Sequence, residues 1–598
     1  MQLSYLQDLS PELRRQLNLS PNNDSVLKGT SLKRSYAKIS LRPQEIKESL
    51  KIAGASGLSL VTSRVLSARG FIVSERLSQF LSPSLQDGLL PPQSLKNLDE
   101  ACKRIAQAIE REEIIAITND FDVDGLSGGA QLCAFLSSVG AKIISFVPDR
   151  FTDGYGLNKR IIDDAVSNNA SLIITVDFGT KNKIELDYAR SKGLCSIVID
   201  HHHMGMEECD ADIFINPHQK ECGFAEGTLS AAGLCWYLII GLRKQLTQAL
   251  EVKARDFLDL ACLGTVCDMV PLVGVNRVIA KRGLELLTHT KRPGLIALKE
   301  VLGITKEVRC HDIGFGFGPR INAAGRLING SVVIELLTTN CAITARRIAK
   351  QLHDLNDERQ KVEKRVKECA DKFIKSGNIL PWGIVVWGAD YHTGVIGIVA
   401  QRLTEEYYRP AAVLGADGEG VFKGSVRSIP GISVVSLLEK LEPLLIKYGG
   451  HEGAGGFAIE AKNIDKFQSE FNLECIRQAE NFEVFIPSVV ADTQVKCVEI
   501  TMSLVEELPK LGPFGVGNKS PVLVARDVVV TDVTELKGGH TKVVVRDDSG
   551  ALSGVCWRTK DHPALRKGKK IDIAFKPDKN SFQGNTTIQA NIIAAQEL

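Results

Sequence analysis

The stretch IIAITNDFDVDG, residues 114–125, decides the fold. Its first half, 114–118, is a short apolar run rich in β-branched residues. Its second half is a polar Asp/Gly loop that holds Asp120, Asp122 and Asp124. A continuous apolar run bounded by turn residues reads as a strand covered on both faces. A helix is expected upstream over 98–111 and another downstream over 127–139. The alternation continues with strands over 142–147, 172–176 and 195–199, and with helices over 159–168 and 183–192. Strand and helix alternate at roughly 25 to 30 residues per unit, the signature of a parallel sheet built from βαβ units.

On the N-terminal side, helices are expected over 43–53 and 74–80, and the Ser- and Pro-rich run 82–92 reads as a boundary. On the C-terminal side, residues 342–375 are charged, helix-favouring and free of Gly and Pro, which predicts one long connector helix. A second α/β segment is expected over 378–480. From 485 onward the chain is rich in Val, Thr and Gly and predicts a small β-barrel.

The 598 residues carry 73 Lys and Arg against 71 Asp and Glu, a formal charge of +2, with 44% apolar and 24% charged residues. Such values belong to ordinary globular proteins. They exclude a disordered tail protein, a collagen, a coiled coil and a surface that is basic throughout, so a nucleic-acid site has to come from local charge. The longest apolar stretch, 379–389, falls short of the about 20 residues a membrane span needs. The N-terminus lacks the apolar core of a signal peptide, and a cytoplasmic location is expected. The 14 cysteines show no CxxC pair and read as reduced, mostly buried thiols rather than zinc ligands.

The acids and histidines fall at particular places. Asp120, Asp122 and Asp124 follow the first strand, Asp177 follows the third in TVDFG, and Asp200, His201, His202 and His203 follow the fourth in VIDHHH. All strands of a parallel sheet end on one side, and ligands of open α/β sheets bind at that carboxyl edge. A single Asp after a strand is ordinarily a helix cap or a turn residue. Recurrence at successive strand ends points instead to a cation site. Carboxylates and imidazoles without thiolate suit Mn²⁺, Mg²⁺ or Fe²⁺. Asp268, in LGTVCDMVPL, follows a further apolar stretch and is a candidate to close the site.

The ordered blocks DFDVDG, TVDFG and DHH resemble the DHH phosphoesterase superfamily. Further blocks are VPDRFTDGYGLN, LGTVCDMVPL, FGPRINAAGRL, HTGVIGIVAQRL, KGSVRSIPG and GGHEGAGGF. They resemble that superfamily's bacterial single-strand-specific exonucleases, from residue 45 to near the C-terminus. The resemblance implies an N-terminal segment over 1–90, a parallel-sheet DHH catalytic domain over 91–341 and a connector helix over 342–376. It also implies a DHH-associated nucleic-acid-binding domain over 377–482 and an OB-like β-barrel over 483–598. It implies a 5′→3′ exonuclease of single-stranded DNA that works by two-metal phosphodiester hydrolysis in DNA recombination and repair. Asp122, Asp124, Asp177, His201 and Asp268 would hold two divalent ions, Mn²⁺ or Mg²⁺, with Asp177 as the bridge. Asp120 and Asp200 would orient ligands or outer water, and His202 would face the scissile phosphate. His203 lies beyond the family's histidine pair and receives no role. Phe178 stands where the family often has Cys or Asn, and Thr180 where an aliphatic residue is common.

The same resemblance places Arg150, Tyr155, Arg320, Asn322 and Arg326 along the active-site channel. Arg150 and Arg320 would take phosphate, including a 5′-terminal one, and Tyr155 would stack on a base. In the second lobe Lys423, Ser425, Arg427 and His451 are the candidates for nucleic-acid contact. A cleft between lobes would admit one strand and exclude a duplex by width. Residues 558–579 hold eight Lys or Arg against three Asp or Glu, a local basic excess. Trp557 and Phe575 are the nearby aromatics, with core packing their expected role. A single-strand-binding protein and a RecQ-type helicase are the partners that the family implies, with the chain itself a monomer. Two other readings fit the blocks less well. A DHH phosphodiesterase of short oligonucleotides or cyclic dinucleotides generally lacks the barrel and the connector. A non-catalytic single-strand-binding scaffold would have lost ligands, and every expected one is present. Counted with two divalent ions, the formal charge moves from +2 to +6, all of it at the strand ends.

Overall fold

The structure, a computed structural model, describes residues 36–598 except 150–151, 206–208, 377–379, 560–561 and 583. The chain divides into two compact units. One comprises Ser74–Asp357 together with Pro509–Ser520, and the other the remaining segments.

The chain enters the second of these units with strand β1 (Lys38–Leu41) and helices α1 (Ile46–Ser56) and α2 (Leu60–Ala68), of which α2 was not expected. The first unit opens with α3 (Glu75–Leu81) and α4 (Leu98–Glu110). There follow β2 (Ile114–Asn119), α5 (Val123–Ser138), β3 (Lys142–Phe146), α6 (Lys159–Ser167), β4 (Ala170–Val176), α7 (Lys183–Ser191), β5 (Cys195–Ile199) and β6 (Ile213–Ile215). The strands form one sheet in the order β3-β2-β4-β5-β6, and every pairing is parallel. The strand β6 is too short to carry a period, so the sequence pattern did not show it.

Side chains alternate across this sheet as strand geometry requires. Ile115, Ile117, Leu172, Ile174 and Ile197 pack on one face with α4, α5 and the later helices α8 (Ala231–Gln245) and α9 (Leu258–Cys267). Ala116, Ile173 and Val198 pack on the other with α6 and α7. Each buried Ile, Leu or Val among these contributes about 1.5 to 3 kcal/mol of apolar transfer. That double cover explains the unbroken apolar runs. The helix α5 begins at Val123, four positions before its expected start, because Asp122 caps it: its carboxylate accepts from the N–H groups of Asp124 and Gly125. Asp124 therefore lies in the first helical turn and not in a loop. The apolar stretch before Asp268 is likewise the helix α9 and not a strand.

The unit continues with α10 (Gly274–Thr288), α11 (Pro293–Leu302), α12 (Gly318–Leu327) and α13 (Ser331–Thr338). The expected long helix is α14 (Ala342–Ser376), and the division between the units falls within it.

The other unit holds a mixed sheet of β7 (Ile384–Gly388), β8 (Ala411–Ala416), β9 (Val421–Arg427), β10 (Leu445–Gly450) and β11 (Ala454–Glu460). Its order is β10-β11-β9-β8-β7. Helices α15 (Ile396–Tyr407), α16 (Val434–Lys440) and α17 (Ile464–Gln478) lie among these strands in the chain. After β12 (Ser488–Ala491), β13 (Thr493–Gln494) and α18 (Met502–Glu507), the strands β14 (Leu523–Leu536), β15 (His540–Arg546), β16 (Ala551–Cys556), β17 (Lys570–Phe582) and β18 (Asn585–Glu597) make a barrel. Pairing of β14 with β17 closes it. Ala37 and Ile39 of the β1 segment pack with Val524, Ala574 and Ala594 of the barrel, and Arg69 grips Asp492 with two hydrogen bonds of 2.9 Å. Within the barrel Phe575 is core, as expected. Trp557 is not: it is 53% exposed, edge-on to His540, and its indole N–H donates to Asn591. Of the cysteines only Cys341 is exposed, and all are free. Among the described residues no helix is long and apolar enough to cross a membrane.

Candidate active site

The strand order places the switch point of the sheet between β2 and β4, where chain progression reverses and a crevice opens at the carboxyl edge. Asp120 follows β2, Asp177 follows β4 and Asp200 follows β5. Their backbone N–H groups still donate across the sheet, to the carbonyls of Val176, Ile199 and Ile215 at 3.1, 2.9 and 3.0 Å. The acids thus stand in register on adjacent strand ends. Asp177 has a φ of +68°, a left-handed conformation that costs energy in a residue other than glycine and turns its side chain back over the sheet edge.

Around this row the other acids close in. Asp124 is buried, and its two carboxylate oxygens accept from the N–H groups of Ala231 and Ala232 at 2.7 and 3.0 Å, at the start of α8. Helix starts favour negative charge, so α8 and the cap on α5 both stabilise carboxylates here. Gly264 on α9 makes room: a Cβ at that position would stand 2.2 Å from the Asp124 Oδ1. Asp268 ends α9.

His201 sits among these acids. Its Nε2 is 3.2 Å from Asp177, 3.6 Å from Asp268 and 3.8 Å from Asp124. Burial pushes its pKa down to about 4, so the ring is neutral and has a lone pair to offer. His202 differs. Burial alone would lower its pKa, but the hydrogen bond and charge of Asp200 outweigh this and raise it. Its Nδ1 stands 2.7 Å from the Asp200 Oδ1. That same oxygen accepts from the N–H groups of His201 and His202 at 2.7 and 3.1 Å. The Oδ2 accepts from the N–H and hydroxyl of Thr180 at 3.0 and 2.6 Å. Asn216 donates in turn to the Thr180 hydroxyl at 3.1 Å and to the carbonyl of His202 at 2.9 Å. Thr180 and Asn216 are thus parts of the site that sequence reasoning missed. Thr180 stood out only as a departure from a family pattern, and Asn216 gave no signal. His203 points elsewhere and stacks on His218, with ring centres 4.2 Å apart.

Among the described residues three groups of donors lie close enough to hold a cation: Asp177, His201 and His202; Asp124, His201 and Asp268; Asp120, Asp122 and Asp177. They interlock, because His201 belongs to two of them and Asp177 to two. The donor set is oxygen with imidazole nitrogen and suits Mn²⁺ or Mg²⁺. Electrostatics agrees. Burial, followed by the charges of Asp122 and Asp124, raises the pKa of Asp177 far above the usual carboxylate range. Burial and neighbouring acids push Asp124 up to about 7 and Asp268 up to about 9. Carboxylates held this close need a compensating cation or a proton.

Tyr155 reaches the same edge. Its hydroxyl donates to the carbonyl of Asp177 at 3.1 Å and stands 3.4 Å from the His202 Nε2. Its exposed ring rests edge-on against buried Phe178. Arg320 is half-buried, with its Nε toward the His353 Nδ1 at 3.1 Å and an Nη donating to the Gly316 carbonyl. Asn322 and Arg326 share its helix, α12, and Arg150 lies outside the described residues.

The other unit holds a separate group. Lys423, Ser425 and Arg427 alternate along β9 and so share one face. An Arg427 Nη donates to the Ser425 hydroxyl at 3.1 Å, and both side chains lie against Gly397 in the first turn of α15. Among the described residues no carboxylate pairs with Arg427. A guanidinium and a hydroxyl thus meet at the start of a helix. Lys423 pairs with Asp417 at 2.9 Å, and His451 is exposed in the turn between β10 and β11.

The raised carboxylates set protons and metal in competition. In the metal-free site Asp124 and Asp268 keep their protons up to about 7 and about 9, whereas in the unfolded chain they lose them near the usual value of about 3.9. Their contribution to stability is therefore present at low pH and is lost as pH rises through those values. A bound cation replaces the protons. The rise in melting temperature on adding Mg²⁺ to chelated protein is expected to grow as pH climbs through about 7 toward about 9. Thermal unfolding in matched buffers checks this, and a rise that shrinks with pH would contradict a carboxylate-held ion.

Comparison with known proteins agrees with this geometry. The family described as DHH family, N-terminal domain, matches residues 114–265; the DHHA1 domain matches 381–476; and the RecJ OB domain matches 491–594. The single-stranded-DNA-specific exonuclease RecJ of Salmonella typhimurium is 32% identical over 572 residues, covering 92% of this chain and 97% of that protein. The Bacillus subtilis protein of the same name is 34% identical over 537 residues, covering 89% of this chain and 67% of that one. Among solved structures, RecJ from Thermus thermophilus in complex with Mn²⁺ has a TM-score of 0.80 at 27% identity, over 94% of this chain and 80% of that one. The same protein in complex with Mg²⁺ gives 0.74 at 26% identity, over 94% and 79%. The three domain matches fall on the sheet, the mixed domain and the barrel, and the identity extends over most of both chains: this chain belongs to the RecJ single-stranded-DNA-specific exonucleases.

Proposed function

We propose that this exonuclease hydrolyses single-stranded DNA from the 5′ end, with two divalent ions, Mn²⁺ or Mg²⁺, held at the strand-end acids. The observation that carries this reading is the interlocking of the three donor groups through Asp177 and His201. Asp122, Asp124, Asp177, His201 and Asp268 would hold the ions, with Asp177, shared by two groups, the residue that would bridge them. When bound, such ions lower the pKa of water and neutralise the phosphoryl oxygens.

The chain's own groups do the rest. Asp120 sits at the third donor group, beside Asp122 and Asp177, and would orient a ligand or hold outer water. His202, whose proton affinity Asp200 raises, donates to a non-bridging oxygen of the scissile phosphate, where charge grows as water adds. Asp200 is itself held ionised, since its bonds to His202 and Thr180 outweigh the effect of burial. The phosphorus–oxygen bond to the departing 3′-oxygen breaks, and that oxygen takes up a proton. Tyr155 keeps its phenolic proton, because burial and the surrounding acids raise its pKa, and its ring offers a face to the terminal base. Arg150, Arg320, Asn322 and Arg326 in the catalytic unit guide the backbone. Lys423, Ser425, Arg427 and His451 are its contacts in the other unit, with the Ser425–Arg427 corner taking a phosphate. Trp557, exposed on the barrel, is a stacking surface for the strand. The family setting is DNA recombination and repair in the cytoplasm, with a single-strand-binding protein and a RecQ-type helicase as partners of a monomeric enzyme.

Three measurements test the reading. A time course on end-labelled DNA, with Mn²⁺ or Mg²⁺ and with chelator, should show loss from the 5′ end of long 5′-phosphorylated single strands; faster turnover of dinucleotides would favour a small-substrate phosphodiesterase. Asp177→Ala should abolish hydrolysis while single-strand binding persists, and retained nuclease activity would end its bridging role. Arg427→Ala should weaken binding and flatten the slope of log affinity against log salt by about 0.7, since one phosphate contact fewer releases fewer counterions from a single strand. An unchanged slope would remove Arg427 from the phosphate contacts.

A further inference from the structure

The turn PFGVGN, residues 513–518, falls within the span matched by the RecJ OB domain, yet it is built into the catalytic unit. Two anchors hold it there. Arg277 of α10 is buried, and its guanidinium donates to the carbonyls of Leu511 and Gly512 at 3.1 and 2.8 Å and to that of Phe80 at 2.9 Å. The Asn518 amide donates to the carbonyls of Leu511 and Pro513, both at 2.9 Å, and the Gly515 N–H donates to the Asn518 carbonyl at 3.0 Å. The turn is therefore closed on itself and fastened to α10.

Its free side grips the loop 268–273. The Leu272 N–H donates to the Val516 carbonyl at 2.8 Å. A Cβ on Gly515 would stand 2.7 Å from Leu272, and one on Gly517, whose φ is +73°, would stand 3.0 Å from Pro271. From the opposite side the Asn276 amide holds the same loop, donating to the carbonyls of Pro271 and Thr228 at 3.1 and 2.6 Å. The first residue of that loop is Asp268. It is followed by Met269 in a left-handed conformation, φ +62°, so the chain reverses immediately after it.

Asp268 differs from three of its neighbours in one respect. Asp122, Asp124 and Asp200 each have backbone N–H groups that aim the carboxylate. Among the described residues no donor hydrogen-bonds the Asp268 carboxylate, and its nearest basic nitrogen, on His201, is 3.6 Å away. Its position comes from its backbone, and its backbone is set by α9 on one side and the clamped loop on the other. We infer that the 513–518 turn is a positioning element for Asp268: a piece of the OB-domain sequence that holds a metal ligand of the catalytic domain in place. The inference rests on the assignment of Asp268 as a ligand.

The test is Mn²⁺ binding to the full chain, read by titration calorimetry without DNA. Asn518→Ala removes the bonds that close the turn and should weaken Mn²⁺ binding roughly tenfold, the usual effect of losing support behind a ligand, with the far-UV circular dichroism unchanged. Gly517→Ala, which presses on Pro271, should act in the same direction and serves if the first variant does not fold. On an Asp268→Asn background, adding Asn518→Ala should change the affinity no further, because the turn acts through that residue. Parental affinity in the folded turn variants would overturn the inference, as would an equal additional loss on the Asp268→Asn background. Parental affinity in Asp268→Asn alone would instead remove Asp268 from the ligands, a separate outcome.

Discussion

At the carboxyl edge of the parallel sheet, Asp120, Asp177 and Asp200 stand on adjacent strand ends, with Asp122, Asp124 and Asp268 closed around them. Most of these carboxyls are buried. Like charges at such spacing repel by about 4 kcal/mol per close pair even at an intermediate dielectric. The surrounding fold offsets part of this. The starts of α5 and α8 point N–H groups at Asp122 and Asp124, and Asp200 accepts from three backbone N–H groups, a hydroxyl and an imidazole. The charge that remains is concentrated on Asp177, Asp124 and Asp268, and their raised proton affinity shows it. A divalent cation is the natural counterpart of that excess, and Asp177 belongs to two of the donor groups.

The two adjacent histidines show how far local surroundings separate like groups. His201 is turned into the acids, loses its proton through burial and keeps a lone pair for a cation. His202 is turned along the edge onto Asp200, gains proton affinity and becomes a donor. One ring accepts and the other donates although they are consecutive in the chain, because Asp200 is pinned from behind by Thr180, whose hydroxyl Asn216 holds in turn. In the other unit Arg427 and Ser425 lie against the start of α15 and present the opposite polarity. A net charge of +2 thus conceals a local gathering of negative charge at the carboxyl edge of the sheet.

Much of this was legible in the sequence. Strand and helix alternation, the long helix, the barrel and the row of acids at strand ends could all be read from periodicity and from position relative to apolar runs. The misreadings have definite causes. Asp124 looked like a loop residue because acid and glycine favour turns, but Asp122 caps the helix early and draws Asp124 into it. Trp557 looked like core because large aromatics usually are, yet its position beside the end of β16 leaves it at the surface. The strand β6 was too short for a pattern. Thr180 and Asn216 were missed because a buried hydroxyl or amide announces itself only through its partner.

The amino-acid order by itself determined which residues end strands, and therefore that acids and histidines share one edge, since parallel strands leave no other arrangement. It could not determine what stands behind each acid. That the start of α8 faces Asp124, that Thr180 faces Asp200, and that a turn more than two hundred residues away grips the Asp268 loop were decided only by tertiary packing. The physical reason is that periodicity is a property of neighbouring residues, whereas a hydrogen bond to a carboxylate depends on where a distant segment of chain comes to rest.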